Sequence, residues 1–220
     1  MVLRAVFFDF GGVILSSPFE AFASYEVAVG LPAGSIRRVN ATDPDTNAWA
    51  HLERGDISFD EFVTRFESEA AALGIELDGE RVLHCLGGEL RPAMVDAVRR
   101  AREQHVTGLL TNNVVSMDAE AMAASGDPAF AEVLACFDVV VESSKVGVRK
   151  PEPRFYELAC ELAGVSPSEV VFLDDLGVKA RDGRVKHQHR EGKTDIAQPG
   201  DQREKRGRIG LGRVDQAQPV

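Results

Sequence analysis

No apolar run in these 220 residues approaches the roughly 18 that a membrane-spanning helix needs. The N-terminus also lacks the charged region, apolar segment and small-residue cleavage site that together mark a secretory leader, so the expected location is cytoplasmic. Cysteine is scarce. Cys85, Cys136 and Cys160 are odd in number and far apart, with no CxxC spacing, which argues against a zinc site or a disulfide framework. Each is expected to serve as a small buried apolar residue. Positive charge is in deficit, with 25 Lys+Arg against 35 Asp+Glu and a net −10. That balance argues against nucleic acid as a general partner. It leaves room for a small phosphorylated molecule, which needs only local donors.

What is present is enough for one α/β domain with a smaller insert, since 44% of the chain is hydrophobic. Charge is unevenly spread. Residues 181–220 hold 10 Lys+Arg and 6 Asp+Glu, a net +4, so residues 1–180 carry −14. This tail has no aromatic residue, and its few aliphatics follow neither helical nor strand spacing. Burial cannot offset its ordering entropy, and it is expected to be disordered.

Before the tail, strand-like apolar runs fall at 3–8, 106–110, 138–141 and 170–173. Segments with helical spacing at 92–104, 116–125 and 153–163 separate or flank the last three. The alternation predicts a Rossmann-like parallel sheet flanked by helices. Pro92 and Pro153 suit the first turn of a helix, and Gly164 reads as a stop signal. Almost a hundred residues separate the first two runs, far more than one crossover helix requires. Within 16–88, apolar positions recur at helical spacing: Phe19, Phe22 and Ala23, then Trp49 and Leu52, then Phe59, Phe62, Val63 and Phe66. Ser58 followed by Asp60 and Glu61 reads as an N-cap with acids in the first turn. The expected organisation is a core from 1–15 and 89–180, with 16–88 as a helical cap over the mouth of the sheet.

Four positions follow strand ends or the turns beyond them: Asp9, the Thr111-Asn112 pair, Lys150 and the Asp174-Asp175 pair. In open α/β sheets, ligands bind beyond the carboxyl ends of the strands, so Asp9 at a strand tip before Gly11-Gly12 is a candidate nucleophile. Taken singly, the threonine and asparagine read as turn formers and Lys150 as a surface charge. Two adjacent carboxylates at 174 and 175 repel unless a cation or protons compensate them.

In order, the motifs FFDFGGV, LLTNN, the lysine of GVRKPEP and VFLDD resemble those of the haloacid dehalogenase (HAD) superfamily over residues 1–180. The helical-cap subgroup fits best, similar to the N-terminal phosphatase-like domain of soluble epoxide hydrolases and to HAD domains fused to acyl-CoA dehydrogenases. The resemblance implies that Asp9 attacks phosphorus to form an aspartyl-phosphate. It implies Mg²⁺ held by Asp9, the main-chain carbonyl of Gly11 and Asp175, with Asp174 acting through water or by holding its loop. Thr111 and the amide of Asn112 would grip phosphoryl oxygens, and Lys150 would neutralise remaining charge.

Two features depart from the pattern. Phosphatases of the family usually place an acid two residues after the nucleophile, where Gly11 stands here, which predicts slower turnover of poor leaving groups. After Lys179 the polar tail replaces the helix and fifth strand expected next, so the C-terminal part of the core is expected to be missing. A catalytically inactive or binding-only domain is the alternative. Dehalogenation by Asp9 tolerates Gly11 but leaves Asp174 and Asp175 without a cation. A cap lysine forming a Schiff base is excluded, because the first lysine in the chain is Lys145.

Overall fold

The structure, a computed structural model, describes residues 2–114 and 127–175. The helix expected at 116–125, the tail at 181–220 and the fate of the fifth strand after Lys179 lie outside the described residues.

Four strands, β1 (Ala5–Phe8), β2 (Val106–Thr111), β3 (Val139–Glu142) and β4 (Val170–Leu173), form a parallel sheet in the order β3-β2-β1-β4. The expected run at 170–173 coincides with β4, and the other three lie in place with ends off by at most two residues. Register is set so that Phe8 lies beside both Leu109 of β2 and Leu173 of β4, while Thr111 lies beside Glu142. The carboxyl ends of β1, β2 and β4 therefore open on one edge.

Both faces of the sheet are covered, which is why its strands read as nearly unbroken apolar runs. On one face Phe8, Leu109 and Phe10 pack with Val95, Val98, Val133 and Phe137. On the other, Phe7, Leu110, Val141 and Phe172 pack with Phe155 and Ala159. Gly108 sits in β2 because the Phe7 ring occupies the space above it: a Cβ there would lie 2.4 Å from Phe7 Cδ1.

Between β1 and β2 come six helices: α1 (Pro18–Ala28), α2 (Ser35–Asn40), α3 (Ala48–Arg54), α4 (Phe59–Ala72), α5 (Gly79–His84) and α6 (Pro92–Arg102). The first five enclose a hydrophobic cluster of their own, built on Phe22, Ile36, Leu52, Phe62, Phe66 and Val82. Trp49, Phe62 and Phe66 stack in its centre, with centroid separations of 4.8 and 5.1 Å between successive rings. Ser58 caps α4 by accepting a hydrogen bond from the Glu61 amide at 3.2 Å. Later helices are α7 (Pro128–Leu134), α8 (Ser143–Val146) and α9 (Pro153–Ala163). Pro92 and Pro153 open α6 and α9, and Gly164, with φ +64, ends α9 in the left-handed region that favours glycine.

The sequence expectation that all three cysteines are buried needs correction. Only Cys160 is buried; Cys85 and Cys136 are half-buried. Their Sγ atoms instead reach the carbonyls one helical turn back, those of Arg81 and Glu132. Phe19, at helical spacing in α1, is 38% exposed, its ring resting edge-on against Phe22 beside Arg37.

Candidate active site

Asp9 follows β1 directly, its amide donating to the Leu173 carbonyl at 2.8 Å and so extending the pairing with β4 by one residue. The chain then makes a wide turn over Phe10–Ile14, closed by a 2.9 Å hydrogen bond from the Leu15 amide to the Phe10 carbonyl. Of the two glycines, Gly12 is the constrained one. Its φ is +76, and a Cβ there would fall 1.9 Å from Asp175 Oδ2. Gly11 has φ −64 and ψ 132, which any residue adopts, and a Cβ would touch only Pro18 Cδ at 3.9 Å. Arg91, at the start of α6, steadies the turn by donating to the Gly12 carbonyl at 2.8 Å.

Asp9, Asp174 and Asp175 offer carboxylate oxygens that all lie within 4.8 Å of one another. Lys150 stands among them, its Nζ 2.7 Å from Asp9 Oδ1 and 3.4 Å from Asp174 Oδ2, and 5.4 Å from the centre of the Phe172 ring. The Phe10 amide also donates to Asp9 Oδ1, at 2.7 Å. Burial pushes the Asp9 carboxyl from 3.8 up to about 6, with Asp174 adding to the shift and Lys150 opposing it. For Lys150, burial works against the ammonium, but Asp9 and Asp174 outweigh it and hold its pKa above the usual lysine range.

Three carboxylates gathered beside the Lys150 ammonium concentrate negative charge at one point, the kind of site a divalent cation stabilises. All the donors are hard oxygens, the ligand chemistry of Mg²⁺. The close approach permitted by Gly12 brings the turn up to Asp175. The residues therefore fit such an ion.

The Thr111 side chain ends β2 and is buried at the same sheet edge. Asn112, next along, turns its side chain onto the main chain of Lys150: Oδ1 accepts from the Lys150 amide at 2.8 Å, and Nδ2 donates to the Lys150 carbonyl at 3.1 Å. Asn113 is buried too, donating to Glu142 at 2.9 Å and accepting from Ser144 at 2.8 Å, which fixes the loop after β2 against the end of β3.

Sequence reasoning missed two charged residues beside this group. Glu53, near the end of α3, accepts from Asn112 Nδ2 at 3.1 Å and pairs with Arg149 Nε at 2.7 Å. Burial pushes its carboxyl above the usual range, against the pull of Arg149 and Lys150. Arg149 also donates to the Pro44 carbonyl at 2.7 Å. Beside them Arg54 pairs with Glu152 at 2.6 Å, and α3 ends at Gly55, where a Cβ would meet the Ser144 carbonyl oxygen at 2.6 Å. Arg149 precedes Lys150 in the chain and was findable by adjacency. Nothing in the local pattern around Glu53 marks it, since it sits on a short helix almost a hundred residues away in sequence.

Comparison with known proteins gives a consistent set of relatives. A family model described as haloacid dehalogenase-like hydrolase matches residues 3–178. Acyl-CoA dehydrogenase family member 10 of Mus musculus is 32% identical over 185 residues, spanning 79% of this chain and 16% of that protein. Bifunctional epoxide hydrolase 2 of Sus scrofa is 31% identical over 189 residues, spanning 80% of this chain and 34% of that protein. The chain thus corresponds to a minor part of both. Phosphatase MT3486 of Mycobacterium tuberculosis is 29% identical over 195 residues, with 80% of each chain covered. Among solved structures, a HAD family enzyme of Bacteroides thetaiotaomicron, determined in complex with magnesium and inorganic phosphate, superposes with a TM-score of 0.58. At 18% identity, over 89% of this chain and 98% of that one, this likeness shows a shared fold. With a parallel sheet, an acid at the tip of its first strand and a family match across nearly all described residues, the chain belongs to the haloacid dehalogenase-like hydrolases.

Proposed function

We propose that this protein is a Mg²⁺-dependent, phosphatase-like hydrolase of small phosphorylated substrates, working through an aspartyl-phosphate on Asp9. The observation that carries the reading is the convergence of Asp9, Asp174 and Asp175 around Lys150 at the carboxyl ends of adjacent strands. It is supported by a relative named as a phosphatase and by a fold neighbour solved with magnesium and inorganic phosphate. In this reading residues 1–15 and 89–180 form the core, and 16–88 is a cap that selects the substrate.

Asp9, Asp174, Asp175 and the Gly11 carbonyl would hold the ion. Bound there, Mg²⁺ would offset charge and orient a phosphoryl oxygen. Thr111 and the main-chain amide of Asn112 bind the remaining phosphoryl oxygens, and Lys150 offsets their charge. A carboxylate oxygen of Asp9 forms a bond to phosphorus as the bond from phosphorus to the leaving oxygen breaks. The departing oxygen takes its proton from water, because position 11 carries no side chain. A second water then attacks phosphorus, releasing inorganic phosphate and restoring the Asp9 carboxylate.

Gly11 favours one competing reading, a domain that binds phosphate without turning it over. Hydrolysis of p-nitrophenyl phosphate, a substrate with a good leaving group, separates the two. The expected result is turnover that requires Mg²⁺ and falls more than about a thousandfold in Asp9→Asn. Phosphate binding without turnover would identify a binding-only domain, and metal-independent halide release from a 2-haloacid would identify a dehalogenase.

A further inference from the structure

We infer that Glu53, on the helical insertion, is a positioning residue for Lys150, so that seating of the insertion on the core sets the geometry at Asp9. The contact chain is continuous. Glu53 Oε2 accepts from Asn112 Nδ2 at 3.1 Å, and the same Asn112 amide grips both peptide groups of Lys150, at 2.8 and 3.1 Å. Lys150 Nζ then meets Asp9 Oδ1 at 2.7 Å. A second strand of the linkage runs through Arg149, whose guanidinium pairs with Glu53 at 2.7 Å and whose peptide leads directly into Lys150.

The physical reason is burial combined with reach. The Lys150 side chain is 10% exposed and Glu53 is 18% exposed, so neither contact is screened as a surface pair would be. A lysine side chain has four rotatable bonds and reaches a fixed point only if its main chain is held. Asn112 holds that main chain, and Glu53 orients the Asn112 amide by fixing which end donates. Removing Glu53 would leave Arg149 buried without its carboxylate and free Asn112 to rotate. The insertion thereby contributes to the chemistry as well as covering the mouth of the sheet.

The test reads the position of Lys150 directly and then its effect on turnover, and only the second part rests on the phosphatase reading. Wild type, Glu53→Ala and Glu53→Gln are treated with an amine-acetylating reagent, and modification of Lys150 is followed by peptide mass spectrometry. Lys145, whose side chain is 45% exposed, serves as the internal standard. Glu61→Gln, in an exposed pair with Arg65 on the insertion, controls for general loosening. Lys150 is expected to be sheltered in wild type and in the control. Its labelling should rise at least about tenfold in Glu53→Ala, the size set by one lost hydrogen bond to a charged group, and less in Glu53→Gln, which keeps an acceptor. Rates within about twofold of wild type in both variants would overturn the inference. If circular dichroism shows that the alanine variant does not fold, the isosteric glutamine variant decides by the same threshold. With p-nitrophenyl phosphate and Mg²⁺, Glu53→Ala should lower kcat about tenfold and leave KM within about threefold, since lysine placement acts on the transition state. A wild type that turns over no phosphate ester would remove the phosphatase reading, while the labelling result would still decide the linkage.

Discussion

At the tip of β1 two adjacent glycines have different physical reasons to be there. Gly12 is required, because its φ of +76 and its closeness to Asp175 leave no room for a side chain. Gly12→Ala is therefore expected to push the turn and Asp175 apart and weaken Mg²⁺ affinity at least about tenfold, readable by calorimetry on folded protein. Gly11 has ordinary backbone angles and open space beside it, so its lack of a side chain is a chemical feature with no steric cause. Gly11→Asp should fit without strain and supply the missing general acid. It is expected to raise kcat on alkyl phosphates by about 10²- to 10⁴-fold, and no gain in a folded, metal-binding variant would contradict this account of the site. Asp9, Lys150, Asp174 and Asp175 were legible in the sequence because each follows a strand or the turn beyond it. Glu53 was not: its role exists only once α3 is laid against the loop before Lys150, a contact between segments 96 residues apart in sequence from Glu53 to Arg149.

At the scale of single elements, β2 and α4 make opposite demands on their residues. Strand β2 reads as a buried run, yet Gly108 interrupts it, because the adjacent Phe7 ring fills the space a side chain would need. Gly108→Ala should cost about 1–3 kcal/mol by overpacking, seen as a lower midpoint in denaturant. Helix α4 depends on the opposite property, filled volume. Phe62 and Phe66 are fully buried beside Trp49, and Phe66→Ala should cost about 3–5 kcal/mol, whereas Ser58→Ala, which removes only a cap, should cost about 1 kcal/mol. Periodicity made these elements readable in advance, since the same apolar spacing that marks a helix also dictates its buried face. Exposure at helix ends was harder to read. Cys85 and Cys136 stand where the last helical turn meets solvent, and their thiols pair with carbonyls one turn back.

Across the whole molecule, one apolar cluster lies on each face of the sheet and a third inside the insertion. Val114, from the loop after β2, joins that third cluster, so the insertion and the active-site loop share packing. The Arg54–Glu152 and Glu53–Arg149 pairs fasten the same junction. Both pairs join an acid and a base from segments distant in sequence, 54 with 152 and 53 with 149. That the sheet is parallel and flanked by helices followed from alternating strand and helix patterns; its strand order did not. The junction did not, because ion pairs between distant segments leave no periodic trace. The account as a whole depends on Asp9, Asp174 and Asp175 sharing one divalent ion. Titrating Mg²⁺ into the protein by isothermal calorimetry measures that most directly. One ion per chain should bind to wild type, and binding should be lost in Asp175→Asn. An Asp175→Asn variant that binds Mg²⁺ as wild type does, or a folded wild type that binds none, would contradict the account.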